Sequence, residues 1–459
     1  MNLCILIALL SLLVVINFYF FKKNLVNPSL LCCLGYLFGT VICLLNLNNW
    51  NDIQFGTCFV IFLTCSLITF GSVLSALLFR NKKKEQIDNP NIKIIDINKM
   101  FFLCAPFFVL MLVTAIWYFK YDYDIAVLAG YKGGISHFFS YVRNAIADDT
   151  LPTKMNIVLN ILLKISKGFS YALTFYLVSY VFYYKNVKEH PWKFALCAGV
   201  IVLYFIHMLL SGGRTQFMYY ILYLVILIIA LFYKRRNGSL HSGKVILFGS
   251  AALITVLVVF LIIENTTRGS VYGNEYSAFY KISQYAGSSI KALDVYLYNP
   301  TFISDFSEGE TFASLYSILD KIGLSTGINY RMAGLEYICF GNSELMITNI
   351  FGSLRRYIHD YGYVGCFLIQ FILGFIFGAL YNKAFENREA GIWVVCYGVL
   401  VYPLLFSYVE ERFFLNVLTL STAIELFLII CIYYLIKYFF CKKSVFVMDY
   451  SCKFASVDV

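Results

Sequence analysis

Apolar runs of roughly the length needed to cross a membrane recur along this chain, and they constrain its fold more than any motif does. A hydrocarbon core of about 30 Å takes about 20 residues of α-helix to cross. No water reaches the backbone there, so a spanning segment must close its own hydrogen bonds, as a helix or within a closed barrel. The short alternating segments of a barrel are not seen. With 60% hydrophobic and 14% charged residues and a mean hydropathy of +0.74, a soluble globule is excluded. The chain reads as an all-α, polytopic integral membrane protein.

The apolar runs predict spans at Leu3 to Phe21, Pro28 to Leu47, Gly56 to Phe79, Phe101 to Phe119, Ile157 to Tyr183, Phe194 to Leu210 and Phe217 to Tyr233. Further spans are predicted at Val245 to Ile263, Val364 to Ala379, Gly391 to Phe406 and Phe413 to Ile436. That gives about 11 transmembrane helices, within a range of about 10–12. The first run is followed by Lys22 and Lys23 and lacks a basic segment ahead of it and a small-residue cleavage site, so it reads as a retained helix. The organisation expected is a transmembrane bundle over residues 1–263, an extracytoplasmic loop with amphipathic helices over 264–361, a second bundle over 362–438 and a cytoplasmic tail over 439–459.

Sidedness follows from lysine and arginine, because short basic loops stay in the cytoplasm. Lys22 and Lys23, the run from Arg80 to Lys99, Lys185 to Lys193, Lys234 to Lys244, Lys383 with Arg388, and Lys437 to Lys453 all fall in one alternating set of connections. The C-terminus is then cytoplasmic, and residues 120–156 and 264–361 face outward. An odd number of helices puts the N-terminus outside. The formal charge of +10 belongs to these anchors and calls for no nucleic acid. Most of the 14 cysteines sit in spans and Cys339 is alone in the large loop, so they read as apolar packing residues, with neither a disulfide framework nor a metal spacing.

Polar chemistry gathers at the outward ends of the spans. Asp122 and Asp124 form the one Asp-x-Asp, which reads as a solvated interfacial segment more readily than as a metal site. In Ser-Gly-Gly-Arg-Thr, residues 211–215, Gly212 and Gly213 make a turn with exposed N–H groups beside Arg214, whose fork suits a phosphate. Such an arginine also serves simply by snorkelling to headgroups. His207 reads as a satisfied intramembrane histidine. Arg268 stands in Thr-Thr-Arg-Gly-Ser at the mouth of the large loop, and residues 285–297 and 306–312 belong to its amphipathic part.

The end of that loop carries the densest cluster. A helix over residues 349–360 puts Arg355 and His359 on one face and makes a neighbouring pair of Arg356 and Asp360. Arginines can hold charge developing on a diphosphate leaving group, and an imidazole or carboxylate can take a proton. The competing reading is an interfacial helix whose charges pair off as salt bridges. Gly362 and Gly365 are expected to allow close helix packing. Glu410 and Glu411 either line the same cavity or cap helices.

Gly-Gly-Arg-Thr at 212–215 and the stretch from Thr348 to Gly365, with its aromatic residues and Asp-Tyr-Gly ahead of a glycine-rich helix, together resemble the Wzy-type oligosaccharide repeat unit polymerases of O-antigen and capsule biosynthesis. Residues 285–294 and 307–312 fit weaker intermediate patterns. The resemblance implies a membrane glycosyltransferase of the bacterial cytoplasmic membrane. It would transfer a growing polyprenyl-diphosphate-linked chain onto a polyprenyl-diphosphate-linked repeat unit, with no metal, nucleotide sugar or other cofactor. By position, Arg214 and Arg268 would grip diphosphate, Arg355 or Arg356 would assist, and His359 or Asp360 would be the base. Gly212, Gly213, Glu410 and Glu411 are supporting candidates. A flippase and a chain-length regulator are the partners implied, beside the lipid bilayer. An O-antigen ligase shares the layout, whereas a flippase would carry polar or broken helices near the midplane.

Overall fold

In a computed structural model, the described residues are 1–79, 93–133, 138–147, 153–183, 190–211, 214–235, 278–299, 308–324, 326–330, 335, 337–341, 348–385 and 391–443. The helices are α1 (Asn2–Phe20), α2 (Pro28–Leu45), α3 (Phe55–Phe79), α4 (Ile97–Leu128), α5 (Phe138–Ala147), α6 (Ile157–Tyr183), α7 (Pro191–Leu210) and α8 (Arg214–Arg235). They continue as α9 (Ala278–Ala286), α10 (Ser288–Tyr298), α11 (Ala313–Lys321), α12 (Ser353–Phe385), α13 (Gly391–Leu400) and α14 (Leu420–Phe439). Among the described residues, nine are long and apolar enough to cross a membrane, namely α1 to α4, α6 to α8, α12 and α14. The segment Gly391–Leu405 is a shorter apolar helix. The expected span over Val245 to Ile263 lies outside the described residues.

The all-α membrane architecture therefore stands. The elements differ from the sequence reading at several ends. α4 does not stop near Phe119 but runs to Leu128, so the outward connection expected from Lys120 is helical for its first two turns. Asp122 is consequently buried while Asp124 is exposed. Two residues apart on a helix, the pair cannot share a ligand, and the described residues hold no group of three metal-ligating side chains. The last span starts at Leu420 rather than Phe413, because Phe413–Val417 forms a π turn ahead of it.

Two sets of contacts define the faces of the bundle. Asp52 accepts hydrogen bonds from the N-terminal ammonium, from the Asn2 N–H at 2.8 Å and from the Leu3 N–H at 3.1 Å, capping α1. Asp294 in α10 accepts from the Gln54 N–H at 2.8 Å and from Thr57 Oγ1 at 2.7 Å, doing the same for α3. Lys291 Nζ joins the two by donating to the Asp52 carbonyl and to Asp294 Oδ2, both at 2.8 Å. The N-terminus, the connection after α2 and helix α10 of the large insert thus share a face. On the opposite face Lys93–Ile95 pairs antiparallel with Cys441–Lys443, and Lys193 Nζ reaches Asn98 Oδ1 at 2.6 Å. The basic connections and the chain's last strand lie together there.

Close packing sets the course of α12. Ser72 Oγ donates to the Gly374 carbonyl at 3.0 Å, and a Cβ on Gly374 would come within 2.4 Å of the Ile68 carbonyl oxygen. Gly71 and Gly378 lie against the same interface, so α3 and α12 meet through small residues, as membrane helices do. The glycines expected to serve this purpose, Gly362 and Gly365, do not: nothing lies within 4 Å of a Cβ on Gly362, and one on Gly365 meets only Tyr361 of its own helix. Gly362 instead breaks α12, at φ 64° and ψ −173°. That conformation is almost exclusive to glycine, and it turns the short helix Ser353–Tyr361 away from the membrane-crossing part that follows.

Candidate anion site at the insert face

The short helix is seated by a clasp from the connection after α13. The Gly352 N–H donates to the Val409 carbonyl at 2.9 Å and the Ser353 N–H to the Ser407 carbonyl at 2.8 Å. The N–H groups at the start of a helix have no partner within it, so these two carbonyls fix where the helix begins. Glu411 completes the clasp. Its buried carboxylate accepts from the N–H groups of Phe413, Phe414 and Leu415 at 2.7, 2.8 and 2.9 Å and from the Tyr357 hydroxyl at 3.1 Å. Burial raises the Glu411 carboxyl above its ordinary value, against the opposing pull of these bonds. Glu411 is therefore a cap and a tether. Glu410 turns away and pairs with Arg412 at 2.5 Å.

Against this helix lies the segment Glu308–Phe312, whose first two residues pair in parallel with Asn329–Tyr330. The Glu310 carboxylate binds the Arg355 guanidinium directly and comes within 3.7 Å of Arg356 Nη1. All three side chains are buried, Arg356 to 1% exposure and Glu310 to 2%. Arg355 also stacks over Tyr296 of α10 and Phe351, with its guanidinium carbon 5.2 and 5.5 Å from the ring centroids. The strut from α10 and the clasp from residues 407–415 thus converge on one pair of arginines. Nε of Arg355 and Nε of Arg356 are buried with no hydrogen-bond partner among the described residues.

Asp360 is held differently from the sequence expectation. In place of an ion pair with Arg356, its carboxylate accepts from the Thr311 N–H at 2.7 Å and the Glu310 N–H at 3.0 Å, and its Oδ1 lies 2.9 Å from His359 Nδ1. The Thr311 hydroxyl closes the ring by donating to the Arg356 carbonyl at 3.1 Å. Spacing on one helix is outcompeted here by backbone donors arriving from a segment some fifty residues earlier in the chain. The expected face shared by Arg355 and His359 also divides by partner: Arg355 goes to Glu310 and His359 to Asp360.

Arg355, Arg356, His359 and Asp360 are thus gathered at one place, and Glu310 is the residue the sequence reading missed. Its signal was present in the Ser-Glu-Gly-Glu-Thr-Phe pattern, but nothing local says which of its carboxylates turns inward. Arg214 is the first residue of α8; its side chain, together with Gly212, Gly213 and Arg268, lies outside what the structure describes. His207 Nε2 bonds the Met111 carbonyl at 3.0 Å, the satisfied partner expected of it. Cys339 is exposed and free. No family model, no curated protein and no solved structure matches this chain.

Proposed function

We propose that the protein is an oligosaccharide repeat unit polymerase. It transfers a growing chain from a polyprenyl diphosphate onto a polyprenyl-diphosphate-linked repeat unit, at the outer face of a bacterial cytoplasmic membrane, in O-antigen or capsule synthesis. The observation that carries the reading is the buried Arg355–Arg356 pair beside the His359–Asp360 pair, at the insert face of a multi-pass bundle. In the transfer, the bond from the donor's anomeric carbon to its diphosphate oxygen breaks as the acceptor hydroxyl oxygen bonds that carbon. The acceptor's proton goes to a base, and the negative charge left on the diphosphate goes to the arginines. Supporting His359 over Asp360 as that base is the engagement of Asp360 with two backbone N–H groups and the imidazole. Asp360 then orients the ring, as a carboxylate on Nδ1 does for a general base. Arg214 and Arg268 remain part of the proposal as further diphosphate ligands, on the strength of the motif alone.

Complementation of a strain that makes the cognate repeat unit but cannot polymerise it tests the reading, with surface glycan resolved by electrophoresis. The expected result is a ladder with the wild type and a single repeat with Arg356→Ala present at wild-type level in the membrane. Polymer that forms without this protein yet stays unattached would make it a ligase. Lipid-linked repeats stranded on the inner leaflet would make it a flippase.

A further inference from the structure

The arginines suited to a diphosphate are already occupied by a carboxylate of the protein itself. Arg355 and Arg356 bring two positive charges to a site where Glu310 supplies one negative charge, and Asp360 is committed to His359 and the loop amides. A guanidinium has five donors; here each arginine is engaged through Nη1 while its Nε is buried and unpartnered among the described residues. The site is therefore charged in excess, rich in unused donors and shut. A purely structural salt bridge would be expected to satisfy these donors, since buried cations are stable only when paired and hydrogen-bonded.

Resting on the polymerase reading, we propose that Glu310 is an exchangeable counter-ion that sets an affinity threshold for the arginine pair: a lipid diphosphate enters by displacing its carboxylate. The displacement takes the same free energy from every anion that binds. Weakly bound anions, above all the single phosphates of the surrounding bilayer headgroups, then fail to occupy the site. A diphosphate, with more charge and more acceptor oxygens for the fork of each arginine, still does. The segment holding Glu310 is built for such an exchange. Its backbone is retained by Asp360 through the Glu310 and Thr311 N–H groups, so the side chain can leave the arginines while the loop stays anchored. Glu310 is thus a specificity-determining residue that has no need to touch the sugar.

The test is titration of the purified full-length protein in nanodiscs with farnesyl diphosphate, and with inorganic phosphate as competitor. Wild type is compared with Glu310→Gln and with Glu310→Asp, which keeps the charge on a shorter side chain and guards against a variant that does not fold. Both variants are expected to bind farnesyl diphosphate about 10-fold more tightly than wild type and to be inhibited by phosphate at correspondingly lower concentration. Wild-type or weaker affinity in both, at an unchanged melting temperature, overturns the exchange and leaves the polymerase reading standing, because wild type still binds. Absence of farnesyl diphosphate binding in all three proteins overturns both. Tighter binding by the variants with no gain in sensitivity to phosphate overturns the threshold.

Discussion

At the scale of single residues, the buried charges divide into those that hold the fold and those suited to chemistry. Glu411 belongs to the first group, since its four donors come from the clasp and from Tyr357. Glu411→Ala leaves those donors unmet in a buried place and is expected to cost about 2–4 kcal/mol, read as a fall in melting temperature. Glu411→Gln keeps an oxygen for three of them and should cost well under half as much. The pH dependence has a definite sign. The folded protein holds the Glu411 proton more tightly than the unfolded chain does. Its contribution to stability is therefore fully present below the ordinary glutamate pKa and is lost as pH rises through the raised value. Melting temperature followed across that range should change less in Glu411→Gln than in wild type. Arg356→Ala makes the contrasting prediction: it strands Glu310 with one arginine, for a loss of about 3–5 kcal/mol, and it removes activity. Arg356→Lys is expected to retain most of the stability while losing the planar fork, which separates structure from function.

At the scale of elements, the break in α12 makes the site possible. A straight helix from Ser353 would carry His359 and Asp360 on in line with the membrane span, and Gly362 turns them aside. Gly362→Ala is expected to cost about 1–3 kcal/mol for the disallowed backbone and to lower activity by displacing His359, measured as turnover at saturating substrate in protein that remains folded. Gly374→Ala should act otherwise, pushing α3 from α12 against Ile68 and lowering stability without a specific effect on turnover. How much could be read beforehand follows from how local each signal is. The spans were legible because hydropathy acts over a window of residues, and nine of them match long helices. Clustering of Arg355, Arg356, His359 and Asp360 was legible because they are neighbours on one helix. Their partners were not, since Glu310 and the Thr311 amide arrive from another part of the chain. The packing glycines were misassigned for the same reason: a glycine's sequence position does not reveal whether a helix approaches it.

At the scale of the whole molecule, the two faces are fixed by side chains far apart in sequence. Asp52 and Asp294 tie α10 to the N-terminus at one face, and the Lys93–Ile95 pairing ties the chain's last strand to the basic connections at the other. In intact cells, a membrane-impermeant thiol reagent is expected to label Asn51→Cys and Asp320→Cys, in a background without other cysteines. It should label Lys442→Cys only after permeabilisation, in agreement with the positive-inside distribution. Labelling of Lys442→Cys from outside would invert the protein and put the arginine cluster on the wrong side for a flipped lipid-linked saccharide. The most direct test of the central claim uses purified protein in liposomes supplied with lipid-linked repeat units as the sole substrate. The account predicts lengthening of the saccharide with one polyprenyl diphosphate released per linkage formed, and loss of both in Arg356→Ala and His359→Ala. Saccharide that never lengthens with active wild-type preparations, or lengthening that survives both substitutions, would contradict it.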